Sequence, residues 1–477
     1  MSNRVDVLIL GGGFGGSLLS LMLVQRGLQV ALVDAAAHPR FAIGESSTPL
    51  ASRTLKAIAA EFDLPELEPL SSWGRWKEEL PDIGCGRKRG FTYLNAANPK
   101  SVSGQMLVAA SQRDELADTH WLRRDVDHWL FELAAVRGVR TFERTGVQPE
   151  RVPNGWRLRS LHASFDIEHA EFVVDATGGA KTLLRSLEIP DDSRTLQTKS
   201  RAVFGHFQNL TPLEELIPQD VRAQHPFDCG AAAVHVVLRD RWMWQLRFDD
   251  GTVSCGITGP LKGQSAPNEI WNATIRESEL LQQQFACSNC LRPASGLRSS
   301  SRLQRLTTQA AGPTWAALPA TAGFVDPLHS TGIAHTLIGV ARLVEALTTT
   351  RRETLLEQYS GQVLSEIRHV DRLVAGCYAG LPSFDLWCTW CMLYFAAATS
   401  GERSDAATDF LHASSSAFCE MLTAAESKLA TAISIGSDES TRQFQSEIAE
   451  LIEPWNSAGL LDATAHPFYS STAVPEN

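Results

Sequence analysis

The chain has 477 residues, of which 44% are hydrophobic, and a formal net charge of −11. That length suits one large α/β domain with insertions, or a few domains. Acidic charge spread without a basic block argues against nucleic acid and anionic membrane surfaces as partners. No apolar run is long enough for a membrane span. Met1–Asp6 leads straight into a strand without a secretory signal. Nine cysteines, an odd and scattered set, suit reduced thiols and hence a cytoplasmic location.

In chain order, Val7–Leu10 reads as an apolar strand that breaks into Gly11-Gly12-Gly13-Phe14-Gly15-Gly16 and enters a helix. Gly11-x-Gly13-x-x-Gly16 fits the dinucleotide fingerprint: a tight turn, a close backbone approach to pyrophosphate, and close helix–strand packing. The helix N-terminus behind it supplies unpaired N–H groups for phosphate oxygens. The next strand, Val30–Val33, ends on Asp34, placed to take a ribose hydroxyl. Residues 51–63 predict a helix and 64–90 a mixture of loop and strand. Trp121–Gly138 predicts a helix from the spacing of Trp121, Val126, Trp129, Leu130 and Leu133. Glu171–Asp175 is a buried-strand pattern that turns at Ala176-Thr177-Gly178-Gly179. Arg201–Phe207, Ala231–Leu238, Arg241–Phe248 and Thr252–Ile257 alternate in the period-two manner of antiparallel strands. Residues 312–345 return to loop and helix. From about residue 353 the pattern is almost wholly helical, with a break at Ser434–Ser440. Two C-x-x-C pairs occur. Cys388/Cys391 lies in the apolar helical stretch Phe384–Ala398 and reads as small buried hydrophobes. Cys287/Cys290 lies in a polar connection and could be a reactive pair. Neither makes a complete zinc site, and no metal is expected.

Further segments point to one cofactor. Val174-Asp175-Ala176-Thr177-Gly178 looks like the A-T-G turn late in FAD domains, and Arg124-x-x-Asp127 like the segment whose arginine approaches the FAD pyrophosphate. Gly44-Glu45-Ser46-Ser47-Thr48-Pro49 and Gly323-Phe324-Val325-Asp326-Pro327-Leu328-His329-Ser330-Thr331-Gly332 resemble two flavin-contacting loops of the flavin-dependent halogenases. Taken with the glycine loop, these landmarks run in that family's order over residues 7–345. The resemblance implies a Rossmann-type FAD-binding domain of α/β class over 1–200 and 300–350. An interposed antiparallel sheet for substrate covers 201–299, and a helical region covers 351–477. It places FAD against Gly11, Gly13, Phe14, Gly15, Gly16, Asp34, Glu45, Ser46, Arg124, Asp175, Gly178, Asp326, Thr331, Gly332 and Ile333.

Two segments bear on chemistry. Arg87-Lys88-Arg89-Gly90-Phe91-Thr92-Tyr93 resembles the family's K-x-G-x-x-F strand, whose lysine positions the oxidant beside an aromatic substrate. Read from the residues alone, Lys88 is equally one member of a solvated basic cluster. Trp242-Met243-Trp244-Gln245-Leu246-Arg247 stands where the family has W-x-W-x-I-P, with Trp242 and Trp244 walling off the flavin. The tryptophans could also simply pack a sheet face. Arginine for proline restores a ladder N–H and adds a cation, a departure that favours direct oxygen transfer over halogenation. His329 stands where tryptophan-specific members carry glutamate, and serves either as acid or base or as a local hydrogen-bonding residue. Pro319-Ala320-Thr321-Ala322-Gly323 replaces the usual G-D-A-x-G. Asp175 could cap a strand end, and Arg124 could be one solvated charge among Arg123, Asp125 and Asp127. The aromatic helix Phe384–Phe395 could be core or pocket wall.

The resulting expectation is an FAD-dependent oxidoreductase that activates O2 through a reduced-flavin C4a-hydroperoxide and hydroxylates an electron-rich aromatic. The alternative is a halogenase using FADH2, O2 and chloride or bromide on a phenol- or indole-like substrate. A flavin-dependent reductase or dehydrogenase, or a degenerate flavin-binding interaction protein, are further readings. With one G-x-G-x-x-G in the chain, a separate flavin reductase is expected to supply reduced FAD. The substrate is a free or carrier-bound aromatic, and a homodimer is left open.

Overall fold

Val7, Leu8 and Ile9 are fully buried, so the strand Arg4–Leu10 (β1) must run through a sheet covered on both faces. The computed structural model describes residues 3–160, 165–260, 265–403, 409–462, 464 and 467–473. After β1 come the helix Phe14–Gln25 (α1), the strand Val30–Val33 (β2) and the helix Pro49–Glu61 (α2). Four strands follow: Cys85–Lys88 (β3), Gly90–Asn95 (β4), Gln105–Ala109 (β5) and Asp118–Trp121 (β6). The helix Arg123–Val136 (α3) leads to Arg140–Phe142 (β7) and His169–Asp175 (β8). Then come Ser200–Gln208 (β9), Ala233–Val237 (β10), Trp242–Arg247 (β11), Val253–Pro260 (β12) and Trp315–Ala317 (β13). The helices Thr331–Thr348 (α4), Arg352–Gly380 (α5), Phe384–Arg403 (α6), Ser416–Ile435 (α7) and Asp438–Ile452 (α8) follow, and Phe468–Tyr469 (β14) is last.

Strands β13, β8, β1, β2 and β7 form the parallel core of the first sheet in that order. The second sheet runs β9–β12–β11–β10–β4–β5–β14. Its β9–β12, β12–β11, β11–β10 and β4–β5 pairs are antiparallel, as the alternation in 201–257 predicts. The sheet is nevertheless wider than that stretch. The β4/β5 hairpin, from the segment assigned to the nucleotide-binding unit, joins it through a parallel β4–β10 pair, and β14 joins parallel to β5. Phe91, Tyr93 and Leu94 are all buried, which explains why β4 sits inside the sheet instead of on its rim. Two boundaries also differ. Trp121 ends a strand, and the helix starts at Arg123. A short helix, Trp73–Glu79, lies where loop and strand were expected, with Trp76 as its one buried residue.

The C-terminal region is helical as its pattern predicts. The break falls at Gly436, whose φ of +66 ends α7, and Ser437 and Ser440 cap α8 reciprocally. Among the described residues no helix is long and apolar enough to cross a membrane, and no group of histidines, cysteines or carboxylates could hold a metal ion. Cys388 and Cys391 are buried in α6, while Cys287 and Cys290 are exposed.

Helices α5 and α6 approach closely where Trp390 meets Leu373 and Gly376. Trp390 Nε1 donates to the Leu373 carbonyl at 2.6 Å, and a Cβ on Gly376 would lie 1.9 Å from the Trp390 ring. Gly376→Ala is expected to destabilise the protein by roughly 1–3 kcal/mol through overpacking, despite alanine's better helix propensity. Equilibrium denaturation measures this, and an unchanged midpoint would mean that the indole has room to retreat.

Candidate active site

The site begins as backbone. Gly11 holds φ +108, and a Cβ there would lie 2.5 Å from the Ala176 carbonyl oxygen. A Cβ on Gly16 would lie 2.0 Å from the Gly11 carbonyl oxygen, and one on Gly15 would lie 2.8 Å from the Thr336 side chain. These approaches let α1 start directly against β1, β8 and α4. Asp34, at the end of β2, accepts the Gly12 and Ala36 amides at 2.9 and 2.8 Å and Arg40 at 3.1 Å. Asp127 accepts the Phe14 amide at 3.2 Å.

The cation at this loop is Arg123, not the expected Arg124. Arg123 pairs bidentately with Asp127 at 2.7 and 2.9 Å and donates to the Ile43 and Gly44 carbonyls at 3.0 and 3.1 Å. Its guanidinium lies 4.6 Å from the centre of the Phe14 ring. A Cβ on Gly13 would sit 3.6 Å from Arg40, 3.6 Å from the Asp127 carboxylate and 3.7 Å from Arg123, so two guanidinium groups and the carboxylate that Arg123 pairs with flank the cradle. Arg124 is a helical step away from that face and pairs with Asp125 at 3.2 Å. The signal was legible, since residues four apart on a helix share a face, as Arg123 and Asp127 do. Asp175 is also reassigned. Its carboxylate accepts the amide and hydroxyl of Thr177 and the amides of Leu183 and Leu184, at 3.0, 2.6, 2.8 and 3.2 Å. It is a local cap with its acceptors spent. The Gly178 amide is spent as well, donating to Thr321 Oγ1 at 2.9 Å.

The segment Ile43–Thr48 joins this cradle to the interior. Besides holding Arg123, it presents Glu45 to His206 (2.8 Å, both side chains buried), Ser46 Oγ to the Ser330 hydroxyl (3.0 Å), and the Ser47 carbonyl to Lys88 Nζ. Beside it, α4 starts from Ser330 at φ +53 with no side-chain cap, and nothing lies within 4 Å of a Cβ on Gly332. That open end borders a cavity of about 40 Å³ lined by Asp326, Thr331, Gly332, His335 and Thr336, with Phe324, Ile367 and Val370 opposite. The Ile333 side chain is buried in the core. Asp326 is buried, and burial pushes its carboxyl up to about 7 against the hydrogen bonds of Tyr378, the Leu328 amide and Ser200.

Lys88 is wholly buried, which rules out the solvated-cluster reading. Strand pairing sets it opposite Asp118, and its ammonium lies 4.3 Å from the centre of the Phe91 ring. Burial lowers its pKa to about 8, with Asp118 opposing. Around it lie three histidines that sequence reasoning largely missed. His120, His235 and His329 are each pushed down to about 3, chiefly by burial, and the Lys88 charge lowers His120 and His235 further. His329 stacks on Tyr394 at 4.3 Å, and His235 lies 5.0 Å from both Tyr93 and Trp242. The α6 residues Tyr394 and Phe395 meet Phe91 edge-on and are buried in the core, so the aromatic helix closes a packed aromatic enclosure around Lys88.

Trp242, Trp244 and Leu246 share one face of β11 with the main core, while Met243 belongs to the separate core behind the sheet. Arg247 alternates onto that rear face, 3.9 Å from Glu214. Of the two residues that depart from the W-x-W-x-I-P pattern, Leu246 keeps an aliphatic side chain on the Trp242 face, and the Arg247 side chain lies on the side away from it.

The family model described as tryptophan halogenase matches residues 119–382. The chain belongs to that family. Monodechloroaminopyrrolnitrin halogenase PrnC of Pseudomonas fluorescens is 24% identical, over 81% of this chain and 70% of that protein. Tetracycline 7-halogenase of Kitasatospora aureofaciens is 23% identical, over 83% and 74% respectively. Among solved structures, halogenase PltM in complex with phloroglucinol and FAD superposes with a TM-score of 0.86 at 21% identity. That match covers 98% of this chain and 99% of the other, and shows a common fold. The chain is an FAD-dependent, halogenase-like oxidoreductase.

The residues present fit FAD. A glycine cradle flanked by Arg40 and Arg123 suits the pyrophosphate, and the uncapped end of α4 beside a partly open cavity suits an electron-rich ring edge. Arg123→Met is expected to weaken FAD binding at least tenfold and to lower thermal stability, because Asp127 loses its buried partner. Arg124→Met should stay within about twofold of wild type. Flavin-fluorescence titration of the two variants checks the assignment, and equal losses would reverse it.

Proposed function

We propose that this protein halogenates an electron-rich aromatic compound, consuming reduced FAD, O2 and chloride or bromide. The observation that carries the reading is the buried Lys88 ammonium, held by the Ser47 carbonyl and the Phe91 face inside a chamber of aromatic rings and neutral imidazoles. Reduced FAD, when bound, would supply the two electrons and two protons with which O2, halide and one further proton become hypohalous acid and water. Arg40, Arg123, Asp34 and the α4 amides of Thr331 and Gly332 would hold the cofactor. Lys88 Nζ donates a hydrogen bond to the oxidant and fixes its place beside the ring. A desolvated ammonium does this better than a hydrated one. Trp242 and the α6 aromatics exclude water, so the oxidant meets the arene and not solvent. Substitution then releases the arene hydrogen as water with the oxidant's hydroxide. Burial holds His120, His235 and His329 neutral, so no imidazolium charge competes with the Lys88 ammonium there.

Direct hydroxylation loses its main ground, because Arg247 lies behind the sheet. A separate flavin reductase as electron source accords with the single glycine-loop motif in the chain. The deciding experiment mixes the FADH2-loaded protein with O2, bromide and a panel of phenols and indoles, then reads product mass. Bromine gain supports the proposal, and oxygen gain alone would replace it with hydroxylation.

Lys88→Met should cut halogenated product by two or more orders of magnitude while FAD affinity stays near wild type. Because burial lowers the lysine pKa to about 8, the active ammonium is lost above that pH, so turnover should fall along an alkaline limb near pH 8. A rate flat to pH 10 would remove the ammonium from the mechanism. Arg247→Gln should leave the ratio of halogenated to oxygenated product unchanged by mass analysis.

A further inference from the structure

Helix α5 carries a tyrosine that ties the flavin-side loop to the tryptophan strand. Tyr378 Oη lies 2.8 Å from Asp326 Oδ2, 2.9 Å from Thr258 Oγ1 and 3.3 Å from Trp242 Nε1. Strand pairing sets Trp242 directly opposite Thr258, so both partners come from one rung of the second sheet, while Asp326 comes from the loop before α4. The hydrogen-bond directions are fixed by chemistry. The indole N–H only donates, so the phenolic oxygen must accept from it. The phenol has one proton, and an ionised carboxylate is the partner that cannot supply its own. With Asp326 ionised, the chain therefore runs from Trp242 and Thr258 into Tyr378, and from Tyr378 into Asp326. Ser200 Oγ at 3.3 Å and the Leu328 amide at 3.2 Å complete the carboxylate's donors.

We propose that Tyr378 is a positioning residue of this active site, whose hydroxyl holds Asp326 as an acceptor for FAD and sets Trp242 at a fixed distance from it. The proposal rests on the halogenase reading, which puts FAD beside Asp326. It explains why a half-hidden phenol on a distant helix makes three hydrogen bonds to groups from both sheet and loop.

The test uses the titration of Asp326. The groups facing its carboxyl are Tyr378 and the like-charged Asp371 on α5, Ser200 on β9 and the Leu328 amide, with the Cys377 thiol nearby on α5. Burial places its pKa at about 7, and the Tyr378 hydrogen bond lowers it. The acceptor form, and FAD affinity with it, is present above that pH and lost as pH falls through it. Removing one hydrogen bond to the charged form raises the midpoint by about one to two pH units.

FAD affinity is measured by fluorescence titration from pH 5.5 to 9.5 for wild type, Tyr378→Phe and Thr258→Val, with a thermal melt of each at every pH. Wild type at pH 7 should be about twofold weaker than at its alkaline plateau, and Tyr378→Phe about ten- to a hundredfold weaker than at its own. Thr258→Val leaves the Tyr378–Asp326 bond in place and should keep the wild-type midpoint. A wild-type midpoint in Tyr378→Phe, or an equal shift in Thr258→Val, overturns the positioning role alone. Failure of wild type to bind FAD at pH 9 overturns it together with the halogenase reading. Should Tyr378→Phe not fold, Asp326→Asn decides: it must abolish the wild-type pH dependence, and its persistence overturns the proposal.

Discussion

Two cations in this protein are held by the carbonyls of one short loop, and the active site is arranged around that fact. Arg123 donates to Ile43 and Gly44, and Lys88 donates to Ser47, so a few residues of irregular backbone sit between the nucleotide cradle and the aromatic chamber. Carbonyl oxygens neutralise no charge, so each cation also needs a carboxylate: Asp127 for Arg123, and Asp118 across the strand pair for Lys88. The loop is pinned in turn from four directions, by Arg123, Trp121, His206 and Ser330. Its conformation is thus over-determined, which is what keeps two buried charges at a fixed separation.

Desolvation does the electrostatic work in the chamber. The same burial that lowers the Lys88 pKa to about 8 keeps three nearby imidazoles uncharged, so a single positive charge stands among neutral rings. The ammonium keeps the Ser47 carbonyl and Asp118 as its polar neighbours, and no imidazolium beside it competes for them.

Much of this was legible in residue order. The glycine loop, the acid at the end of β2, the alternating strands and the terminal helices all follow from local pattern, because each depends on neighbours within a few residues. What could not be read depended on facing direction or on distant partners. Arg123 and Arg124 are adjacent in sequence and separated only by helical phase. Arg247 looked decisive as a motif change, yet strand alternation sends it to the rear face. Asp175 occurs in a flavin-like turn, but its four donors come from the turn itself and the short helix after it. The pairing of His206 with Glu45 joins residues 161 positions apart, and no local signal announces it.

The sheet order has a consequence for where the chain can change. Strands β4 and β5 leave the nucleotide-binding half, enter the second sheet beside β10, and return before α3, while β14 comes back from the far end of the chain to lie against β5. The two halves are laced together by the very segment that carries Lys88. No single cut along the chain separates the first sheet from the second without severing the β4/β5 crossing. Helix α6 takes part in neither sheet, so changes along it disturb no strand pairing, whereas changes in the laced strands disturb both halves at once.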